Sequence, residues 1–150
     1  MNPDPEAEMR VTGVLETCLY ASDLPAAERF YSDVLGLAVF AREPGRHVFL
    51  RCGDAMLLVF DPVRTMEVAA TVGGVPVPRH GAVGAGHVCF RVPERELAAW
   101  RERLAAAGVA VEAELHWPRG GTSLYVRDPA GNSVELAPAR MWGLEEPHQP

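Results

Sequence analysis

The same order of hydrophobic patterns occurs twice along the chain. In the first half, the patterns predict one strand, one helix and three further strands, over residues 14–21, 25–35, 37–42, 47–51 and 55–60. In the second half, they predict the same elements over residues 87–92, 94–107, 109–115, 123–127 and 133–136. Each half is therefore expected to be a βαβββ module, and the fold class is predicted to be α+β with two such modules.

Both predicted helices carry an apolar stripe on one face. The stripe is formed by Ala27, Phe30, Tyr31 and Val34 in the first helix and by Leu97, Trp100, Leu104 and Ala107 in the second. Ser22 or Asp23 can cap the first helix, while Gly36 and Gly108 stand where a left-handed residue often ends a helix. We interpret the aromatic side chains of the stripes as core packing.

The whole chain, residues 1–150, is expected to form one domain. Its predicted parts are module one at about 12–61, a linker at about 62–84, module two at about 85–137 and a C-terminal tail at 138–150. The linker is rich in Gly, Pro and Val around residues 73–81. A connection of this length is more often functional or mobile than inert.

Composition and charge restrict the kinds of partner that the protein is expected to have. With 150 residues, of which 48% are hydrophobic and 23% charged, the chain has the composition of an ordinary globular protein. A formal net charge of -6 gives no basic surface for a phosphate backbone, so nucleic acid is not an expected partner. No apolar run reaches the ~20 residues of a membrane helix, and the N-terminus lacks a signal-peptide pattern, which predicts a cytoplasmic protein.

The residue types also restrict the chemistry. All 14 basic residues are arginine, so neither a lysine Schiff base nor a lysine general base is available. The three cysteines, Cys18, Cys52 and Cys89, lie in apolar runs without CxxC spacing. We expect them to be free, buried thiols.

Two side chains at equivalent places in the modules are candidate metal ligands. Glu16 lies in the first strand of the first half, and His87 lies at the matching place in the second half. Each is followed two residues later by a cysteine, which shares its face of the strand. Taken singly, a solvent-facing glutamate and a satisfied core histidine are the plainer interpretations.

Glu135 is the third candidate ligand. It interrupts the apolar last strand, after the turn of residues 128–132. An inward-facing carboxylate needs a partner, a proton or a metal, because an isolated buried charge is costly. The corresponding strand of the first half, residues 55–60, is wholly apolar, so three protein ligands are the maximum. Such a set leaves coordination positions for water or substrate, which is typical of catalytic metal sites.

With these motifs the chain resembles the vicinal-oxygen-chelate superfamily of glyoxalases, bleomycin-resistance proteins and dioxygenases. The resemblance extends from Leu15 to Ala137. The segments that carry it are Glu16 to Leu24, Phe30-Tyr31, Val34-Leu35-Gly36-Leu37, Gly86 to Val92, and the ending Asp128-Pro129-Ala130-Gly131-Asn132-Ser133-Val134-Glu135-Leu136.

The resemblance implies a cupped mixed sheet built from the paired modules, with one divalent metal on Glu16, His87 and Glu135. It also implies a homodimer, since most such relatives are homodimers. Two positions depart from the family pattern. The first ligand is Glu16, where fosfomycin-resistance and extradiol-dioxygenase relatives usually have histidine, and the fourth glutamate of glyoxalase I is replaced by the apolar Leu57-Leu58 region.

The predicted function is a metal-dependent lyase, isomerase or transferase of glyoxalase type, which chelates a small oxygenated metabolite or antibiotic through two oxygens. One imidazole and two carboxylates suit Mn, Mg, Ni, Zn or Fe(II). An extradiol-type dioxygenase is an alternative that the ligands disfavour, because non-haem iron oxygenases favour two histidines and one carboxylate. Another alternative is a non-catalytic protein that sequesters a drug, as bleomycin-binding relatives do.

The remaining site residues are predicted from their places around this centre. Glu16 and Glu135 are the candidate catalytic residues, since either carboxylate can take a proton. The candidate substrate-binding residues, in the linker and near the last two strands, are His80, Trp117, Arg119 and Tyr125. Among them, Arg119 is suited to hold a substrate anion.

Overall fold

The computed structural model describes residues 9–146; the two ends of the predicted domain, residues 1–8 and 147–150, lie outside the described part. Module one contains β1 (Glu16–Tyr20), α1 (Leu24–Arg29), β2 (Ala38–Glu43), β3 (His47–Cys52) and β4 (Ala55–Phe60). The linker contains α2 (Pro62–Glu67), β5 (Thr71–Val72) and β6 (Val75–Pro76). Module two contains β7 (His87–Arg91), α3 (Leu97–Ala106), β8 (Ala113–His116), β9 (Thr122–Arg127) and β10 (Ser133–Ala137). No helix among residues 9–146 has the length and apolar composition needed to cross a bilayer.

Each module folds into a four-stranded mixed sheet, so the predicted duplication and the α+β class are confirmed. The strand orders are β1-β4-β3-β2 and β7-β10-β9-β8. In both sheets the first and last strands of the module pair in parallel, and the other pairs are antiparallel. Residues from the two ends of each module therefore become neighbours across the parallel pair.

The register of the two parallel pairs is the same. Cys18 of β1 lies opposite Leu58 of β4, and Cys89 of β7 lies opposite Glu135 of β10. Leu58 is therefore the module-one counterpart of Glu135, in agreement with the apolar sequence of that strand. Glu16 and His87 are counterparts as well, since each precedes its cysteine by two residues.

Both modules contribute to one hydrophobic core and leave one face of each sheet uncovered. Tyr31 of module one and Leu104 of α3 are fully buried and belong to the same cluster of buried side chains. On the other side of the sheets, Cys18 and Cys89 are exposed. We call these uncovered sides the open faces; that of module one carries Glu16, Cys18 and Tyr20 of β1, and that of module two carries His87 and Cys89 of β7.

A hydrogen-bonded network around Asp128 joins the modules. Tyr31 donates its hydroxyl hydrogen to Asp128 Oδ2 over 2.7 Å. Asp128 Oδ1 accepts from the backbone N–H groups of Ala130 and Asn132, at 2.9 and 2.8 Å. The Asn132 side-chain amide donates to Asp128 and to the Tyr20 carbonyl oxygen. Burial, together with the Asp128 carboxylate, raises the pKa of Tyr31 far above its usual value, so this phenol remains a hydrogen-bond donor.

The first predicted helix is confirmed, but only its first part is α-helical. Asp23 caps α1 by accepting from the Ala26 N–H over 3.0 Å. The chain then continues as a π-helical turn, Phe30–Val34, after which the Leu35 N–H donates to the Phe30 carbonyl oxygen. Gly36 follows with a positive φ of 81°, as its position after the helix predicts.

Two other predicted segments are corrected by the structure. The strand predicted over residues 109–115 is instead Ala113–His116, because its paired register with β9 begins at Ala113, after a single hydrogen bond from the Glu112 N–H to the Tyr125 carbonyl oxygen. The linker, for which the sequence pattern predicts no elements, contains α2 and the β5–β6 hairpin. Asp61 caps α2 by accepting from the Arg64 N–H over 2.9 Å. Gly73 and Gly74 both adopt positive φ and form the hairpin turn.

Candidate metal centre

His87 and Glu135 meet on the open face of module two. β7 and β10 are parallel neighbours, and Cys89 lies opposite Glu135. His87 precedes Cys89 by two residues, and its Nε2 is 3.5 Å from Glu135 Oε2. The histidine side chain is 51% exposed, whereas that of the glutamate is only 5% exposed. The structure thus brings together two of the three predicted ligands at the boundary between core and solvent.

A backbone contact fixes the position of the hydrogen on the His87 ring. Nδ1 lies 3.1 Å from the carbonyl oxygen of Ser133, and a carbonyl oxygen can only accept a hydrogen bond. We therefore assign the hydrogen to Nδ1, which leaves a lone pair on Nε2 in the neutral ring. This lone pair faces the Glu135 carboxylate, so two acceptors oppose each other unless a proton or a cation lies between them.

Glu135 has a buried oxygen without a hydrogen bond. Its Oε1 accepts no hydrogen bond from any described residue. An unpaired buried polar atom costs about 1–3 kcal/mol, and more when it is charged. A divalent cation bound by Glu135 and His87 would satisfy both this oxygen and the Nε2 lone pair. The donor atoms of module two therefore fit a metal ion.

Two neutral side chains flank the same carboxylate. Partial desolvation among neighbouring side chains, with a further contribution from Glu135, raises the pKa of Cys89 to about 12 and that of Tyr125 to about 12. Cys89 is therefore a thiol and Tyr125 a phenol at neutral pH. The Tyr125 ring stacks on the His87 ring, with centroids 6.3 Å apart and 17° between the planes. Tyr125 is thus a hydrogen-bond donor beside the candidate ligands.

Glu16 does not lie with His87 and Glu135 in a single chain. It is the first residue of β1, opposite Met56, and it is exposed on the open face of module one. Within residues 9–146, no three His, Cys, Asp or Glu side chains are close enough together to hold one metal ion. One chain therefore provides two of the predicted ligands at one point and the third on its other module.

Trp117 and Arg119 lie beside a groove on module two. The indole N–H of Trp117 donates to Ser123 Oγ over 2.7 Å. The groove has a volume of about 390 Å³ and is lined by Trp117, Pro118, Arg119, Met141 and Trp142. Ser123 precedes Tyr125 by two residues in β9, so the two side chains share a face. Three of the predicted substrate-binding residues therefore belong to the side of module two that carries His87.

The fourth, His80, lies on the open face of module one. Its Nδ1 is 2.7 Å from the hydroxyl oxygen of Tyr20, and its ring meets that of Phe60 edge-on, with centroids 4.6 Å apart. Gly81 allows this approach, because a Cβ at that position would lie 2.5 Å from Met66 Cγ on α2. The linker thus folds back over module one. Sequence reasoning missed Tyr20 as a partner, although its two-residue spacing from Cys18 places it on this face.

The cysteine prediction is half correct. All three cysteines are free. However, Cys18 and Cys89 are exposed rather than buried, because they belong to the open faces that neither helix covers. Cys52 is partly buried, and this burial raises its pKa. An apolar run therefore did not distinguish the covered face of a strand from its open one.

Comparison with known proteins agrees with the fold and the motifs. The family model of the Glyoxalase/Bleomycin resistance protein/Dioxygenase superfamily matches residues 13–136. No curated protein matches the chain. The crystal structure of a lactoylglutathione lyase from Agrobacterium tumefaciens is 46% identical, with 91% of this chain and 100% of that chain covered and a TM-score of 0.83.

More distant structures share the fold alone. A virulence protein from Salmonella typhimurium is 22% identical, with 87% of this chain and 98% of that chain covered and a TM-score of 0.65. An integron cassette protein from V. cholerae has the same identity, coverage and TM-score. The family match spans both modules and includes the strands that carry Glu16, His87 and Glu135. This chain therefore belongs to the Glyoxalase/Bleomycin resistance protein/Dioxygenase superfamily.

Proposed function

We propose that this protein is a divalent-metal-dependent enzyme of glyoxalase type, with the metal held by Glu16, His87 and Glu135. The observation that carries the proposal is the His87 Nε2 lone pair facing the Glu135 carboxylate at 3.5 Å, next to an unpaired buried oxygen. Such opposed acceptors are unfavourable alone and favourable around a cation. One neutral imidazole and two carboxylates balance the charge of a divalent ion, and this set of ligands suits Mn, Mg, Ni, Zn or Fe(II).

We infer that Glu16 reaches the centre from a second copy of the chain. Glu16 is exposed on module one, and His87 is exposed at the equivalent position of module two. Packing the open face of module one in one copy against that of module two in the other would add the third ligand to each pair. A two-fold arrangement of this kind gives a homodimer with two equivalent centres.

The proposed reaction class is supported by the 46% identity to the lactoylglutathione lyase of Agrobacterium tumefaciens. We propose a substrate with adjacent oxygen atoms, and formation of lactoylglutathione from glutathione and methylglyoxal is the first reaction to test. When bound, a divalent ion supplies Lewis acidity toward such oxygens. A lyase or isomerase of this type must also move a proton from one carbon to the next.

The chain's own residues are proposed to move that proton and to orient the substrate. Glu16 and Glu135 are the carboxylates able to take the proton and return it. Tyr125 remains protonated at neutral pH and can donate a hydrogen bond to a substrate oxygen. Trp117 and Arg119 border the neighbouring groove, where Arg119 is suited to an anionic group of the substrate.

The experiment that tests this proposal measures metal content and turnover in the same samples. Protein purified without added metal is analysed for elements, alongside Glu16→Ala, His87→Ala and Glu135→Ala. Each substitution is expected to remove most of the bound metal, because a site with only two of its three protein ligands has little affinity for the ion. Lactoylglutathione formation is expected to fall with the metal content. In wild-type enzyme that has lost its metal, this activity is expected to return when the divalent ion is added back.

Two matched variants serve as controls. Glu102→Ala removes an exposed glutamate of α3, and His116→Ala removes an exposed histidine of β8 that contacts Thr122. Both are expected to keep the wild-type metal content. Wild-type metal content in all three ligand variants would refute the proposed centre. Stoichiometric drug binding that survives chelation, without turnover, would instead support a sequestering protein.

A further inference from the structure

A second cavity lies on the open face of module one, where the linker folds over β3 and β4. Its volume is about 320 Å³, the size of a pocket for one small molecule. We propose that this cavity binds a small aromatic carboxylate, held by His80, Arg46 and Arg79. If the cavity holds part of the enzyme's substrate, this proposal rests on the proposed function. Binding of a free anion in the cavity does not depend on that function, because none of the proposed metal ligands lines the cavity.

Four aromatic rings form one wall of the cavity. His47 and Phe49 stack face to face, with centroids 3.9 Å apart and 9° between the planes. Phe60 meets these rings edge-on, at 5.8 and 5.4 Å. The ring of His80 in turn meets Phe60 edge-on at 4.6 Å. Aromatic rings prefer stacked and edge-on neighbours at such distances, so this wall suits another flat ring.

The contact with Tyr20 determines which nitrogen of His80 carries the hydrogen that can be donated to a ligand. A phenol is a better donor than acceptor, and burial raises the pKa of Tyr20, so we assign Tyr20 as the donor to His80 Nδ1 over 2.7 Å. The neutral His80 ring then carries its hydrogen on Nε2. No hydrogen bond joins this Nε2 to another described residue. His80 therefore offers a fixed donor to an oxygen of the ligand.

The charges around the cavity favour an anion. Arg46 and Arg79 line it, opposed by one acid, Glu43. Arg46 donates one N–H to the Val68 carbonyl oxygen over 3.1 Å, which holds its guanidinium beside the C-terminal end of α2. His47 adds no charge, because burial lowers its pKa and keeps the ring neutral at neutral pH. A carboxylate is a group that an imidazole N–H and two guanidinium groups can bind through charge-assisted hydrogen bonds.

Benzoate is the probe that tests the pocket, with benzamide as a flat neutral control and acetate as an anion without a ring. Binding is measured by isothermal titration calorimetry on the full chain after chelator treatment, so that no metal contributes. Benzoate is expected to bind about tenfold more tightly than benzamide, because only the carboxylate makes charge-assisted hydrogen bonds. Acetate is expected to bind more weakly than benzoate, since it lacks the ring.

Substitutions separate recognition from a structural role of the same residues. His80→Phe keeps a ring against Phe60 but loses the Nε2 hydrogen, so the preference for benzoate over benzamide is expected to fall from about tenfold to about threefold, because Arg46 and Arg79 still favour the anion. Arg79→Gln, at an exposed position, is expected to weaken benzoate binding, and Glu43→Gln to strengthen it. Arg10→Gln, which removes an arginine outside the cavity, is expected to have no effect.

The outcomes distinguish this proposal from that of the metal centre. Glu135→Ala is expected to lose metal and to keep wild-type affinity for benzoate, because Glu135 does not line the cavity. Absence of benzoate binding, equal binding of benzoate and benzamide, or a wild-type preference in both His80→Phe and Arg79→Gln would overturn the anion pocket. None of these results would change the metal content on which the proposed function depends.

Discussion

At the scale of single residues, the metal proposal depends on an unusual feature of Glu135, a carboxylate between the apolar residues Val134 and Leu136 of β10. Its counterpart in module one is Leu58, which fills the same register position without any charge. Among the described residues, His87 is the basic side chain that contacts this buried carboxylate, and it turns a lone pair toward it. The sequence predicts the need for a partner at Glu135 because burial of an isolated charge is costly.

Glu135→Leu tests whether Glu135 is present for binding rather than for stability. In metal-free protein the substitution is expected to be neutral or to stabilise the fold by about 1–2 kcal/mol, because it replaces a buried carboxylate with one unsatisfied oxygen by an apolar group. Added divalent metal is expected to raise the Tm of the wild type and not that of the variant. Calorimetric melting with and without metal checks both points, and a large loss of stability in the metal-free variant would count against this account.

His47 gives a pH dependence whose sign can be worked out. Burial lowers its folded-state pKa below the ordinary 6.5, partly opposed by Glu43 and reinforced by Arg46. The unfolded chain therefore takes up a proton at a higher pH than the folded one. The stability contributed by this residue is complete above pH about 6.5 and is lost as the pH falls below it. Between pH 5 and 7.5, the free energy of unfolding measured in urea is expected to change less with pH for His47→Phe than for the wild type. Equal slopes of unfolding free energy against pH would contradict this.

At the scale of elements, α3 supports the π-helical turn of the other module. Arg103 donates from Nε to the Val34 carbonyl oxygen over 2.6 Å and from Nη2 to the Asp33 carbonyl oxygen over 3.1 Å. These carbonyl groups stand at the end of a helix, where the helix itself offers them no donor. The guanidinium therefore caps an element of module one from module two.

Arg103→Ala is expected to lower the free energy of unfolding by about 1–2 kcal/mol, because it leaves two carbonyl groups without these donors. Arg103→Lys is expected to recover less than half of the loss, since an ammonium group lacks the planar fork that contacts both oxygens. Urea unfolding measures both effects. Arg29→Ala, at an exposed position of α1, is the control, and a loss of the same size there would show that the bridge is not responsible.

The sequence predicts the long elements better than the short ones for a physical reason. Strands and helices that contact the core carry a hydrophobic period, and that period predicts the duplicated modules. α2 and the β5–β6 hairpin bury few side chains and have no hydrophobic period. In the sequence, only local signals indicate them, namely the Asp61 cap and the Gly73-Gly74 turn. The exposed cysteines show the same dependence, because an apolar run does not reveal which face of its strand is covered.

At the scale of the whole molecule, the sequence predicts three ligands but not how many chains supply them. The repeat places Glu16 and His87 at equivalent positions of equivalent sheets. Whether two such positions face each other depends on the relative orientation of the modules, which no strand period encodes. The chain itself joins His87 to Glu135 and leaves Glu16 apart, and the proposed homodimer accounts for this separation.

The most direct test of that account is the metal content of a purified heterodimer of Glu16→Ala and Glu135→Ala chains, coexpressed with two different tags. If each centre takes Glu16 from one copy and His87 with Glu135 from the other, one centre of the heterodimer loses two ligands and the other keeps all three. About one metal ion per heterodimer is expected, and almost none in either variant homodimer. A heterodimer as poor in metal as the two homodimers would contradict it.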